Sequence, residues 1–511
     1  MKKDCNKIFL NHIKKYRFKK ILFWGASIFL ENFLKEYSLK EYKILGIVDM
    51  NKQRWGEKLC GYEIYSPDKI KYLKANCIII SIKNFDKKRN KNLIKNIKEL
   101  YPKVHIAKNI LIKTTNQEIF SKLKLLIKIL DTILPKKKNK CVFLSYPDFS
   151  DNTKEYYEYL KARHANEYEL VWLYDNEMNE SYSFIENKFH ILSLKGIWHT
   201  ITAKYLILTH VNYIIDDLNL NKHSLISLWH GMPLKTLGYV EKMIPDSIQK
   251  QYKLLGKYGH FFVSSDLFKL SMQACFMMNY DKVHITGQPR TDCILTNRNK
   301  NEIVEFLDST KYNKIILYTP TYIEVIRNQK HDIDKSFNNI FYFDDYFEKD
   351  FYKMLEENNI LFVIKPHPMD EVFYKKYIEK GNLNHPNIRV LYNEDIINNN
   401  FYFYEFFALA DLMITDYSSI GIDYLINKKP IIYLTQTEDE YSKNRGFILP
   451  DNYQIFMPGE KVNSYKELVR AIEDSLTIDS WRNKRLEALP LLHKYVDDKA
   501  SERIFEIMKN L

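Results

Sequence analysis

The stretch SLISLWHGMPLKTLGY, Ser224–Tyr239, runs through the apolar residues Leu225, Ile226, Leu228 and Trp229 into a histidine, and His230 is followed at once by Gly231, Met232 and Pro233. A short apolar run that stops at a Gly/Pro turn reads as a buried strand. Runs of the same kind lie on both sides of it. Before it come CVFLSY (141–146), YELVWLY (168–174), HILSL (190–194) and YLILTH (205–210); after it come HFFVSS (260–265) and KVHITG (282–287). A fresh series starts at IILYTP (315–320) and continues through LFVIKPHP (361–368), IRVLYN (388–393), LMITDY (412–417) and PIIYLT (430–435). Strands alternating with helical stretches give an α/β fold, and two successive units of similar size point to paired Rossmann-like lobes, 141–298 and 299–511, with a cleft between them. Ligands bind at strand carboxyl ends facing such a cleft, which is where His230 falls.

A smaller α/β domain is expected over 1–110. KKILFWGASIF (19–29) turns at Gly25, EYKILGIVDMN (41–51) ends in Asp49, and ANCIIISI (75–82) and KVHIA (103–107) follow. Strand, Gly25-Ala26-Ser27, helix, strand, Asp49 is the order of a dinucleotide fold, yet two of its three glycines are missing, which argues for a degenerate or recognition role over nucleotide binding. Residues 111–140 form a basic linker. On a helix, Ser121, Lys124, Lys128 and Asp131 share one face and Leu123, Leu126, Ile127, Leu130, Ile133 and Leu134 the other, before Pro135 and four lysines, Lys136, Lys137, Lys138 and Lys140. Such a helix suits either an anionic membrane surface or packing on its own protein.

The 511 residues carry 77 Lys and Arg against 64 Asp and Glu, a net charge of +13 that favours anionic partners. Without arginine tracts, zinc-finger spacing or RNP-like aromatics, nucleic acid is not the expected partner. The six cysteines, Cys5, Cys60, Cys77, Cys141, Cys275 and Cys293, lack CxxC or His/Cys metal spacing and read as reduced thiols of a cytoplasmic protein. The first twenty residues lack the apolar core of a signal peptide, and no window is apolar enough to span a membrane, so bilayer contact would be peripheral, on the inner face.

Three clusters carry chemistry. His230 at a strand end is a candidate general base, or a turn cap. Lys365 and His367, in LFVIKPHPMD, are held at a strand exit by Pro366 and Pro368 and suit neutralisation of a phosphoryl group. In DLMITDYSSIGIDYL (411–425), Asp416 ends a strand, and Ser418 and Ser419 open a helix, a site for a diphosphate or a simple cap. Arg290, in Gly287-Gln288-Pro289-Arg290, and Arg445 add two-pronged phosphate donors. No clustered carboxylates specify a metal cage; Mg²⁺, if used, would ride on the diphosphate.

Taken in order, WHGMPLKTLG (229–238), GQPRTD (287–292), ILYTPT (316–321), IKPHP (364–368), DLMITDYSSIGIDYL (411–425), RGF (445–447) and MPGE (457–460) resemble the CDP-glycerol glycerophosphotransferase family, the teichoic-acid primases and polymerases. The resemblance covers the chain from about residue 141 onward. It implies a glycosyltransferase-B type fold and transfer of glycerol phosphate from CDP-glycerol to a polysaccharide or lipid-linked acceptor. It makes His230 the base and His367 a group on the donor phosphates. Thr415, Asp416, Tyr417, Ser418 and Ser419 would hold the diphosphate, with Thr321, Lys365, Arg290 and Arg445 beside it. The chain departs from the family after Thr321, reading Tyr322-Ile323-Glu324 where members carry an aromatic and then Arg-Asp. The rival expectations are a CDP-ribitol phosphotransferase or a nucleotide-sugar transferase of the same fold, and a nonenzymatic lipid- or polysaccharide-binding assembly protein.

Overall fold

The computed structural model describes residues 20–81 apart from short gaps between 27 and 41, isolated positions from 82 to 114, and residues 115–511 apart from 176–184, 211, 242, 243, 245, 322–338, 369 and 445. Contacts divide the chain into two units, Met1–Leu125 and Leu126–Leu511.

The first unit is built on six strands: β1 (Lys20–Trp24), β2 (Lys43–Val48), β3 (Lys58–Leu59), β4 (Tyr62–Tyr65), β5 (Cys77–Ile80) and β6 (His105–Ala107), in the order β3-β4-β2-β1-β5-β6. All neighbours are parallel except β3 and β4. Both faces of β1 and β5 are buried, which is why those strands read as unbroken apolar runs. Asp49 folds back on the glycine turn: its carboxylate accepts from the Ala26 amide at 2.6 Å and the Asn51 amide at 2.8 Å. An amide that a dinucleotide phosphate would need is therefore spent within the protein.

The second unit contains two parallel sheets. The first lobe has β7 (Lys137–Leu144), β8 (Glu169–Tyr174), β9 (Lys188–His190), β10 (Ala203–Leu208), β11 (Ser224–Ser227), β12 (Gly259–Val263) and β13 (Val283–Ile285), ordered β13-β12-β11-β10-β7-β8-β9. The second has β14 (Lys314–Thr319), β15 (Ile360–Ile364), β16 (Ile388–Val390), β17 (Leu412–Thr415), β18 (Ile431–Leu434) and β19 (Glu460–Val462), ordered β16-β15-β14-β17-β18-β19. Each sheet reverses its strand order beside its first strand, and that reversal opens a crevice at the carboxyl ends. The two α/β lobes expected from the alternation are present.

Three boundaries differ from expectation. The linker ends early, because β7 begins at Lys137; Lys140 is buried in that strand, its ammonium 3.2 Å from Glu169 and 3.1 Å from the Thr202 hydroxyl. The second lobe does not keep the C-terminus. Ile504, Phe505 and Met508, from the helix Ala500–Met508, complete the core of the first lobe with Phe143, Tyr156 and Trp172. Asp292 fixes that helix by accepting from the amides of Ala500 and Ser501 at 3.0 and 2.9 Å.

The third difference is in the basic helix, Thr115–Ile133, where the side chains of Ser121 and Leu123 lie outside the described residues. Asp131, expected on its wet face, is fully buried, whereas Leu126, Ile129 and Ile133 are 48%, 48% and 65% exposed. The carboxylate is inside because three donors meet it: Lys136 at 2.6 Å, His223 Nε2 at 2.8 Å and the Asn219 amide at 2.6 Å. A buried charge so paired avoids most of its desolvation cost.

Candidate active site

The lobes meet along the loop that follows β11. Trp229 takes a left-handed φ of 49° and Gly231 a φ of 146°, which turn the chain sharply on either side of His230. Asn152, wholly buried, steadies this turn: its amide donates to the carbonyls of Leu228 (3.1 Å) and Trp229 (2.9 Å) and to Gln288 Oε1 (2.6 Å). The loop then runs antiparallel to the segment after Arg445. Thr236 N–H donates to Gly446 C=O at 3.1 Å, Ile448 N–H donates to Leu234 C=O at 3.0 Å, and Lys235 bridges Phe447.

His230 donates Nδ1–H to the Thr209 carbonyl at 3.0 Å. That bond selects the tautomer whose Nε2 carries a lone pair. Burial, with Lys235 and Arg290 nearby, lowers its pKa to about 4, so the ring is neutral at pH 7. A cavity of about 60 Å³ opens on it, lined by residues 229–235 of the first lobe and by Tyr417 and Ser419 of the second. A methyl group on Gly231 would sit 2.7 Å from Ser419 Oγ, so only glycine allows this approach.

His367 is half-buried at the exit of β15, within electrostatic reach of Lys235. Burial lowers its pKa to about 4, with Lys235 and Lys365 adding to the shift. The two imidazoles thus share one cationic neighbour, Lys235. Asp416 also faces Lys235, and burial raises its pKa to about 6 although Thr321 donates to it through both its amide and its hydroxyl.

The remaining predicted residues divide by what they touch. Ser418 and Ser419 open a helix of only five residues, Ile420–Tyr424, and neither hydroxyl closes a strong cap; Ser418 Oγ accepts weakly from the Ile420 amide at 3.4 Å. Thr415 is fully buried and donates to the Thr319 carbonyl at 2.7 Å, so it braces the strand and does not face a ligand. Lys365 donates to Glu371 at 3.2 Å and to the Pro366 carbonyl at 2.9 Å. Arg290 divides its fork between Asp151 (3.0 Å) and Asp423 (2.7 Å), a carboxylate from each lobe. Its first role is therefore to join the lobes. Arg445 and Tyr322, Ile323 and Glu324 lie outside the described residues.

Four contributors escaped the sequence reading: Lys235, Asn152, Gln288 and Thr209. Lys235 sits five residues after His230 in the same motif, a signal that was available. The other three act through buried bonds that no spacing announces. A second cavity, about 230 Å³, borders Asp151 on the far side of Arg290 and is walled by Phe149, Ile396, Tyr402, Phe403, Tyr404 and Pro368. Among the described residues no three His, Cys, Asp or Glu side chains stand together as metal ligands.

With this geometry in place, the comparisons are decisive. The model of the CDP-Glycerol:Poly(glycerophosphate) glycerophosphotransferase family matches residues 126–510. The chain belongs to this family. Residues 17–104 match a second model, C2185-like, N-terminal. The Bacillus spizizenii teichoic acid poly(ribitol-phosphate) polymerase is 25% identical over 400 residues, 73% of this chain but only 56% of that protein. The Staphylococcus aureus teichoic acid glycerol-phosphate transferase is 26% identical over 427 residues, covering 78% of this chain and 98% of that one. In fold, the glycerophosphotransferase chain resembles the wall teichoic acid polymerase TagF, with TM-score 0.61, 20% identity, and coverage of 84% of this chain and 98% of that one. A TagF variant soaked with CDPG gives a TM-score of 0.60.

Proposed function

We propose that this protein transfers glycerol phosphate from CDP-glycerol to a hydroxyl of a cell-surface polysaccharide or teichoic-acid-like acceptor, releasing CMP. The observation that carries the reading is the commitment of His230 Nδ1–H to Thr209, which leaves Nε2 as an acceptor in a crevice shared with Ser419. The acceptor O–H gives its proton to Nε2 as its oxygen attacks the phosphorus bonded to glycerol. The bond from that phosphorus to the bridging oxygen breaks, and CMP leaves with the electron pair. Lys235, His367 and the hydroxyls of Ser418 and Ser419 supply cation and donors where charge accumulates. The donor's own negative charge offsets Lys235 and raises the affinity of both imidazoles for a proton, which suits His230 to take one and His367 to carry one. The apolar cavity beyond Arg290 takes the cytosine ring between aromatic walls. Among the described residues no cluster of His, Cys, Asp or Glu forms a seat for Mg²⁺, which would ride on the diphosphate if used.

The test is purified protein given CDP-glycerol, CDP-ribitol and several nucleotide sugars, with the leaving nucleotide and product mass read together. CMP release from CDP-glycerol is the expected result. Release of a nucleoside diphosphate, or donor binding with no turnover, overturns it. Transfer from CDP-ribitol is the second reading, since ribitol-phosphate and glycerol-phosphate enzymes match this chain at the same identity.

The site of action follows from the basic helix. Among the described residues no helix is long and apolar enough to cross a membrane. Leu126, Ile129 and Ile133 form an exposed ridge flanked by the exposed Lys124 and Lys128, the arrangement that rests on an anionic leaflet, so the enzyme works at the inner face of the cell membrane. Cosedimentation with anionic vesicles, lost when those three residues become serine, is the expected result; unchanged binding removes the helix as the contact.

A further inference from the structure

We propose that His210, at the end of β10, is a positioning residue for the general base: its ring lies flat on that of His230 and fixes the plane in which Nε2 meets the acceptor hydroxyl. This rests on the assignment of His230 as base.

The geometry is specific. β10 and β11 are parallel neighbours paired through Leu208 and Ser227, so both chains leave the sheet side by side and bring the two histidines to one edge of the crevice. The ring centroids are 3.8 Å apart and the planes differ by 3°. Thr209 orders both rings at once: its carbonyl receives His230 Nδ1–H, and its buried hydroxyl meets His210 Nδ1 at 2.9 Å. Tyr146 stands edge-on to His210 at 5.8 Å, and Trp229 leans on His230 at 4.5 Å and reaches His210 at 6.5 Å, so the stacked imidazole pair is enclosed by two larger rings. With His210 flat against its face and Trp229 beside it, rotation of His230 about its Cβ is restricted.

The stack also sets the proton equilibrium. The groups facing the pair are Lys235 from the loop after β11, Arg290 from the helix Pro289–Thr296, and Asp151 from the start of the helix Asp151–His164. Ser419 and Tyr417 come from the second lobe. Lys235 and Arg290 oppose a charge on His230, Asp151 favours one on His210, and burial keeps His210 well below its ordinary value. Two parallel, stacked imidazoles in van der Waals contact do not both hold a charge, so the stack admits one transferred proton.

The experiment compares H210A, H210F and H230A, with thermal melting to confirm folding and kcat, KM and the pH dependence of kcat/KM as readouts. H210A removes the ring and lets water reach His230. It is expected to lower kcat about tenfold with little change in donor KM, since a small misplacement of a reacting group is costly. It also moves the acidic limb from about pH 4 toward the ordinary 6.5. H210F restores a flat, uncharged ring and is expected to recover most of the loss and the original limb. The proposal is overturned if H210A leaves both kcat and the limb unchanged while H230A is inactive. It is also overturned if H210F is as inactive as H230A, which would make His210 itself a proton carrier. Full turnover by H230A would instead remove the base assignment, a distinct failure.

Discussion

In the proposed reaction His230 enters as a neutral acceptor, because one of its nitrogens is already occupied, and its acidity is set by what surrounds it. With a pKa near 4 in the empty crevice, kcat/KM is expected to stay level from pH 8 to about 5 and to fall only near and below pH 4, instead of at the ordinary 6.5. A pH profile with saturating acceptor checks this. Replacing His230 by alanine is expected to cost 10²- to 10⁴-fold in kcat, about the usual contribution of a general base. Gly231→Ala tests the approach of the lobes. The new methyl would lie 2.7 Å from Ser419 Oγ and 3.2 Å from Arg290 at a φ that disfavours any side chain, so kcat/KM should drop by more than about tenfold while secondary structure is kept. That His230 and His367 leave strand ends and that the two serines open a helix was readable from sequence, because apolar runs and turn residues mark those positions. Thr415, Thr321, Lys365 and Arg290 carried the same chemical types, but their polar atoms are occupied by Thr319, Asp416, Glu371 and the Asp151/Asp423 pair. A one-dimensional pattern registers a donor without registering who has already taken it.

At the scale of elements, the basic helix shows the same limit. Helical periodicity sorts side chains by polarity, and so it placed Asp131 in water; the partners that draw it inside, Asn219 and His223, are some ninety residues on. Asp131→Ala would leave His223 and Lys136 facing an empty place, and removing one member of a buried pair costs about 3–5 kcal/mol. Urea unfolding should register that loss, whereas Lys128→Ala on the exposed side should leave the midpoint within error. Most of the long strands were legible, since parallel strands buried on both faces are apolar from end to end, whereas the short, partly charged β3, β4 and β19 were not. The start of β7 was hidden because its first residues are lysines and an asparagine whose ladder partners lie on β8 and β10.

For the molecule as a whole, the lobes are tied by charge and by chain. Arg298 links Glu155 of the first lobe to Glu405 of the second at 2.9 and 2.5 Å, beside the Arg290 clasp. His493, almost fully buried, donates Nε2–H to the Ile422 carbonyl at 2.7 Å, and burial lowers its pKa to about 4. Below pH 6.5 the unfolded chain takes up this proton and the folded one does not. Stability from His493 is thus intact above 6.5 and falls as pH drops toward 4, by up to about 3 kcal/mol. Urea midpoints across that range should decline, and His493→Gln, which keeps an N–H donor without titrating, should flatten the decline.

The return of the last helix to the opening lobe has an outcome during synthesis. Residues from Cys141 onward emerge about 360 positions ahead of Ile504, Phe505 and Met508, and until those three follow, the hydrophobic interior they share is incomplete. Synthesis must therefore reach Met508 before the first lobe can close its interior. A chain halted short of Ala500 is expected to leave that interior open and its crevice unsupported.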